Sequence, residues 1–377
     1  MLDYETLRVI WWCLVGVLLI GFAVTDGFDL GVGALLRIVG RTDEQRRVMI
    51  NSIGPHWDGN QVWFITAGGA LFAAWPLVYA AAFSGLYLAL AVTLIALWMR
   101  PIGFDYRSKL PNKQWRNAWD WALFAGGLIP ALIFGVAFGN LLVGLPFSYD
   151  ETLRPAFDGN FFDLLNPFSI LAGLVSITML LAHGANWLQM KTHDDLLRRS
   201  QAASFWLSLV TIILFMIGGL WLTQIDGHLV QSIIDTQATS NPTNKVVTTE
   251  TGAWLNNYSA YPAFVIAPTL AILAGIMSAL YSYKGRSWQA FLMSSLMIAG
   301  IILTAGLSMF PFLMPSSVDP NVGLTLWDAT SSEMTLKTMF IVACIFVPIV
   351  LSYTVYSFYV MRGKIRESEL DHSHTIY

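Results

Sequence analysis

Charge is scarce in this chain. Only 12% of its 377 residues are Asp, Glu, Lys or Arg, about half the share that soluble domains carry. Beside 55% hydrophobic residues, that scarcity excludes an ordinary soluble globular domain. The net charge of −3 says nothing about nucleic acid, and none is expected as a partner. Cysteine is nearly missing. Cys13 and Cys344 both fall inside apolar runs, so they read as small packing residues, not as a disulfide or metal pair. A cleavable leader is not expected either. Met1–Arg8 holds Asp3 and Glu5, and no small-residue cleavage site follows the first apolar run, so the first helix should stay.

What the chain has in abundance is long apolar runs. Nine are long enough to cross a bilayer, where about 20 residues suffice: roughly 9–29, 50–73, 77–99, 119–141, 164–189, 202–224, 262–283, 289–310 and 335–360. The second and third meet at a short break around Trp75-Pro76. An all-α, polytopic membrane protein follows, with residues 1–377 forming one transmembrane domain. Loop charge then orients it. Arg37, Arg41, Arg46, Arg47, Arg100, Arg107, Lys109, Lys113, Arg116, Lys191, Arg198, Arg199, Lys284, Arg286, Arg362, Lys364 and Arg366 fall in alternate loops and the C-terminal tail. Basic loops stay cytoplasmic, so the N-terminus is expected outside and the C-terminus inside, with an odd number of spans. The outer loops, about 142–163, 225–261 and 311–334, are polar and turn-rich and read as external caps. The Asp/Thr/Ser cluster before the last run suits a helix N-cap.

Trp11, Trp12, Trp98, Trp115, Trp119, Trp121 and Trp187 fall near span ends, as interfacial anchors do. Gly27 with Gly31, and Gly135 with Gly139, have the four-residue spacing of close helix packing.

The second run carries polar groups that a membrane should exclude: His56, Asp58, Asn60 and Gln61. An intramembrane carboxylate costs roughly 2.5–3.5 kcal/mol even on insertion scales, and marks a functional site by default. Read as one helix from Met49 to Ala73, Asn51, Gly54, Asp58, Gln61 and Ile65 share a face. Other acids fall on the same expected side. Asp26 and Asp29 lie three apart at the expected end of the first helix, where capping is the alternative. Asp105 follows the third run, as a channel-mouth group or a solvated acid beside Arg107 and Lys109. Asp120 opens the fourth, where Arg116 is an i,i+4 partner. Acids descending from the cytoplasm suit proton uptake, since burial raises a carboxylate's affinity for protons. His56 is open to three readings: haem ligand, proton relay or satisfied helix-end histidine. His183 reads as structural, and His193, His228, His372 and His374 fall in loops or the tail. Without Cys-x-x-Cys-His, and with few histidines in spans, several haems in this chain alone are not expected.

Thr25-Asp26-Gly27-Phe28-Asp29-Leu30-Gly31, the stretch Asn51–Trp63, Gly68-Gly69-Ala70-Leu71-Phe72-Ala73-Ala74-Trp75-Pro76, Arg100-Pro101 with Gly103–Arg107, and Phe310–Ser317 with Trp327–Ser332 together resemble subunit II of the cytochrome bd-type ubiquinol oxidases. The resemblance covers nearly the whole chain. It implies a nine-helix fold of two four-helix bundles plus one peripheral helix, in the bacterial cytoplasmic (inner) membrane. It implies a complex that oxidises ubiquinol and reduces O2 to water, taking protons from the cytoplasm without pumping. Haem b and haem d, with their ligands, are then expected in subunit I. That subunit and a small single-helix subunit are the expected partners, and a quinone can sit in subunit II as a structural ligand. No catalytic residue or metal ligand is expected here. Asp58 and Asp105 match positions on a proton path at the subunit interface, with Asp29, Asp26 and Gln61 beside it. Trp63 matches a proposed oxygen route. Two alternatives from other classes stand beside this reading: a structural scaffold for the haem subunit, and an ion-coupled secondary transporter, which broken helices in related halves would favour.

Overall fold

The computed structural model describes residues 2–366; His372 and His374 lie outside the described residues. Twelve helices run in the order α1 (Tyr4–Val39), α2 (Asp43–Ile53), α3 (Trp57–Ala74), α4 (Pro76–Gly85), α5 (Tyr87–Tyr106), α6 (Lys113–Val143), α7 (Pro167–Lys191), α8 (Asp194–Leu222), α9 (Asn256–Ala260), α10 (Ile266–Tyr283), α11 (Ser287–Met309) and α12 (Glu333–Val360). Among the described residues, eight helices are long and apolar enough to span a bilayer: α1, α5, α6, α7, α8, α10 with its lead-in from Pro262, α11 and α12. Helix α3 is the counterpart of the second sequence run. Its 18 residues extend about 27 Å, but its first turn is polar.

Backbone-close contacts assemble these helices. A Cβ on Gly31 would lie 2.1 Å from the Leu180 carbonyl oxygen, and one on Gly127 would lie 2.4 Å from that of Leu30. So α1 touches both α7 and α6 through main chain. A Cβ on Gly135 would lie 2.5 Å from the Ala172 carbonyl oxygen, and one on Gly139 2.5 Å from Ser169 Cα, so α6 closes on α7 there too. The expected packing role of both glycine pairs is met, because only glycine leaves room for such approaches. Helices α1, α3, α5 and α6 group on one side of this seam, and α7, α8, α10 and α11 on the other. Helix α12 is peripheral. It rests on α1 and α3, and Leu336 is its one buried residue.

Three runs differ from their sequence reading. The second is two helices, because Gly54-Pro55-His56 forms a turn between α2 and α3. Pro55 has no N–H to continue the ladder and its ring crowds the carbonyl one turn back. The face drawn through Asn51, Gly54, Asp58, Gln61 and Ile65 is therefore cut in two. The third run is α4 followed by α5, and α5 continues to Tyr106, so Asp105 belongs to a helix. The first run extends to Val39. Asp26 and Asp29 thus sit inside α1 and cap nothing. Cys13 and Cys344 are exposed on the outer surface and fill no core. Trp11 and Trp187 are buried, with Nε1 donating to Leu336 O at 3.0 Å and Ser52 O at 3.1 Å. They are core groups, not interfacial anchors, whereas Trp98 and Trp121 are exposed.

The three polar loops form one cap over the end where α1 begins. Each carries a two-stranded antiparallel sheet: β1 (Phe147–Tyr149) with β2 (Pro155–Phe157), β3 (Asp226–Val230) with β4 (Val247–Thr251), and β5 (Phe312–Met314) with β6 (Leu324–Thr325). Side chains stitch them together. Ser316 Oγ donates to Phe147 O at 2.6 Å, and His228 Nε2 bonds Ser316 O at 2.9 Å. Lys245 pairs with Asp328 at 2.8 Å. Burial pushes the Asp328 carboxyl up, and Lys245 partly offsets that. Arg8 is fully buried there. It donates to Thr330 Oγ1, Thr236 O and Ala238 O over 2.6–2.9 Å and covers the Tyr4 ring. As the sequence suggested, Ser332 caps α12, accepting from Thr335 N at 3.2 Å.

Candidate functional site

The carboxylates singled out in the sequence fall at the end of the molecule away from this cap, in two settings. The first is buried. Asp26 and Asp29 project from α1 one turn apart, 0% and 1% exposed. Arg100 of α5 meets Asp26 with a forked pair of bonds, Nη2 to Oδ1 at 2.6 Å and Nη1 to Oδ2 at 3.0 Å. Its Nη2 lies 3.9 Å from Asp29 Oδ2, and Asn60 of α3 donates to that same oxygen at 2.8 Å. Three helices are tied together through one guanidinium and one amide. A fork matching a carboxylate is the strong form of such a bond, and a buried pair of this kind survives only with good geometry.

The second setting is the surface. Asp58 and Asp105 are exposed and Gln61 is half-buried. Asp58 sits two residues from Asn60 on α3, and Asp105 five from Arg100 on α5. At 100° per residue these offsets turn the acids away from the inward-facing polar groups. Each of the two helices therefore holds a buried-cluster member inside and an acid outside. Trp63 lies half-buried against α1, where a Cβ on Gly21 would stand 2.6 Å from its ring.

Asp120 departs from its expected pairing with Arg116. It is buried and accepts from Arg107 Nε at 2.6 Å and Arg46 Nη1 at 2.8 Å. Arg116 instead reaches Asp43, which Arg107 also contacts at 2.7 Å. This network joins α2, α5 and α6 at the same end of the molecule. Sequence reasoning passed over Arg100 and Asn60 as partners of the α1 acids. Arg100 directly follows an apolar run and so reads as loop base. The one available signal was an arginine at the end of an apolar run with no acid within four residues to pair it.

The described histidines lie apart, in different settings. Both ring nitrogens of His183 are engaged, Nδ1 with Ser294 Oγ at 2.7 Å and Nε2 with Val24 O at 2.9 Å. His56 stacks on Phe358 with ring centres 4.3 Å apart and meets the Trp187 ring edge-on. His228 lies in the cap. The large cavity between the two helix groups, about 590 Å³, is apolar, with Phe22, Phe64, Phe134, Phe168 and Ile302 in its wall and neither histidine nor cysteine. It suits a hydrocarbon chain.

With this geometry in hand, comparisons place the chain among known proteins. Residues 7–361 match the family model described as cytochrome bd terminal oxidase subunit II. The chain is 54% identical to the cytochrome bd-I ubiquinol oxidase subunit 2 of Escherichia coli, each covered over 100% of its length. It is likewise 54% identical over both full lengths to a probable cytochrome oxidase subunit 2 of Haemophilus influenzae. Identity to the Bacillus subtilis cytochrome bd ubiquinol oxidase subunit 2 is 31%, covering 97% of this chain and 98% of that one. Among solved structures, a chain of the bd oxidase from Geobacillus thermodenitrificans superposes with a TM-score of 0.63 at 16% identity, covering 94% of this chain and 97% of that one.

Proposed function

The chain belongs to the cytochrome bd terminal oxidase subunit II family, and from that premise we propose that it supplies a proton route to the oxygen-reducing centre of the complex. It is a subunit of a terminal quinol oxidase in the bacterial inner membrane, and it partners the other subunit or subunits of that complex. In our reading the α3–α5 face docks on the haem-bearing subunit I, and a small single-helix subunit completes the assembly. The N-terminus is outside, α3 is the ninth span, and the cluster end faces the cytoplasm. Ubiquinol is the electron donor and O2 the acceptor. Haem b and haem d are held by subunit I.

The observation that carries the proposal is the double-sided arrangement of α3 and α5. Asp58 and Asp105 stand on the outer face, where a partner would cover them. Asn60 and Arg100 stand on the inner face, holding Asp29 and Asp26. Once a partner seals the outer face, the exposed acids become a polar seam between two apolar surfaces. Val62, Ile65, Ile95 and Trp98 of the same two helices are exposed as well, and a partner surface or lipid would cover them. Gln61 lies along this seam, and Trp63 borders the route we assign to oxygen. The apolar cavity is the place for a structural quinone tail.

The test compares the purified complex with its Asp58→Asn variant, reading the haem absorption bands and quinol-driven oxygen uptake on the same samples. Wild-type bands with uptake lowered more than tenfold, about 1.4 kcal/mol of barrier, support the route. Unchanged bands and unchanged uptake reduce the chain to a scaffold. Loss of the bands points to assembly.

A further inference from the structure

The buried cluster is incomplete in a specific way. Two polar atoms within it have no hydrogen-bond partner: Asp29 Oδ1 and Arg100 Nε. Both residues line one small cavity of about 10 Å³ where α1, α2, α5 and α6 meet. The rest of its wall is apolar, including Val32, Ile50, Ile53 and Leu123. Asp29 and Arg100 are 1% and 2% exposed. The volume is about that of one solvent probe, the least space that holds a water. A buried water also needs at least two polar partners, and the residues that carry this unpaired acceptor and donor both line the space. Leaving both unsatisfied would cost on the order of 1–3 kcal/mol for each group.

Charge balance adds a second point. Among the described residues, Arg100 is the one cation that pairs with Asp26 or Asp29. Its fork is committed to Asp26. Asp29 receives one bond from Asn60 and meets the guanidinium only at 3.9 Å. With both acids ionised the cluster would carry a net charge of −1 in a site closed to solvent. Buried charge without a matching partner is disfavoured.

We infer that the cavity binds a single internal water, accepting from Arg100 Nε and bonded to Asp29 Oδ1, and that Asp29 rather than Asp26 holds the one proton that neutralises the cluster. The water relays polarity from the fixed Arg100–Asp26 pair to the carboxyl that can change state. The inference concerns the resting occupancy of the site, and it holds or fails whether or not protons travel through Asp29 during turnover.

Two measurements on the intact complex test it. A map at a resolution that shows waters should hold one peak within hydrogen-bond distance of both Asp29 Oδ1 and Arg100 Nε. The peak should vanish in Val32→Ile, whose added methyl enters the cavity. A dry cavity in the wild type, or Arg100 Nε bonded directly to Asp29, overturns the water site. Infrared spectra with ¹³C-labelled aspartate should show a protonated-carboxyl band at neutral pH. That band should be lost in Asp29→Asn, which leaves Arg100 and Asp26 balanced, and should shift in frequency in Asn60→Leu, because Asn60 donates to Asp29. Its absence from the wild type, or a band unmoved in Asn60→Leu, overturns the proton assignment. The wild-type map decides the water, and absence of the band from the wild type refutes the proton, even where a variant fails to assemble.

Discussion

Replacing Arg100 by Gln should be among the most damaging single changes available in this chain. Arg100 is 2% exposed and makes two short bonds to Asp26. The substitution removes the only cation paired with the two buried acids among the described residues. Removing one partner of a buried pair costs about 3–5 kcal/mol, because the other charge is left uncompensated. Whole-domain stability is only about 5–15 kcal/mol, so the loss is a large fraction of the total. The same reasoning predicts a rescue. Asp26→Asn combined with Arg100→Gln turns the ion pair into a neutral pair that can still hydrogen-bond. The double variant should recover at least about half of the loss, since replacing both members of a buried pair is far milder than removing one. Asp29→Asn alone should cost less than Asp26→Asn, because the fork belongs to Asp26. The assay is unfolding of the purified complex in one detergent, followed by tryptophan fluorescence with all four variants side by side. A cost below about 1 kcal/mol for Arg100→Gln, or a double variant no more stable than that single one, would refute the reasoning.

Three further outcomes are expected. Gly31→Val should prevent assembly of the complex, read as loss of full-length subunit in the purified oxidase, because its Cβ would lie 2.1 Å from the Leu180 carbonyl oxygen and neither backbone can yield cheaply; wild-type yield and stability would contradict the α1–α7 contact. Lys245→Met should destabilise the cap by about 3 kcal/mol, leaving Asp328 buried without its partner, and faster proteolysis of the 225–261 loop would report it. His228 should make stability pH-dependent. Burial of its ring pushes its proton affinity below the ordinary value of 6.5, against smaller opposing effects from Ser316 and Asp226. The unfolded chain then binds more protons than the folded one, so stability is intact above about pH 6.5 and falls as pH drops below it, by at most about 1.4 kcal/mol per unit. His228→Gln should flatten that slope, and an unchanged slope would remove His228 as its source.

Several features were legible in the order of residues because they are local or additive. Apolar runs of bilayer length, the alternation of basic loops and the Ser332 cap depend on neighbours in sequence, and such patterns survive without knowledge of the fold. The glycine pairs announced close packing, although not which helices they would meet. The turn at Gly54-Pro55 was also written locally, yet the apolar and polar run on either side hid it. Length alone favoured one helix there, whereas the missing proline N–H demanded two.

Partner choice was a different matter. Asp26 and Arg100 lie 74 positions apart, as do Arg46 and Asp120, and Arg8 meets Thr330 across 322. No periodicity connects such positions, so Asp120 was paired with the nearest arginine and Asp26 with a helix end. The sequence by itself determined that the chain lives in a membrane, that acids collect at one end, and that Asp58 and Asp105 belong among them. Only the tertiary structure decided that Asp26 and Asp29 face inward to Arg100 while Asp58 and Asp105 face outward. A charge in an apolar setting is tolerated by the counter-charge and hydrogen bonds brought to it in space, and those come from other helices.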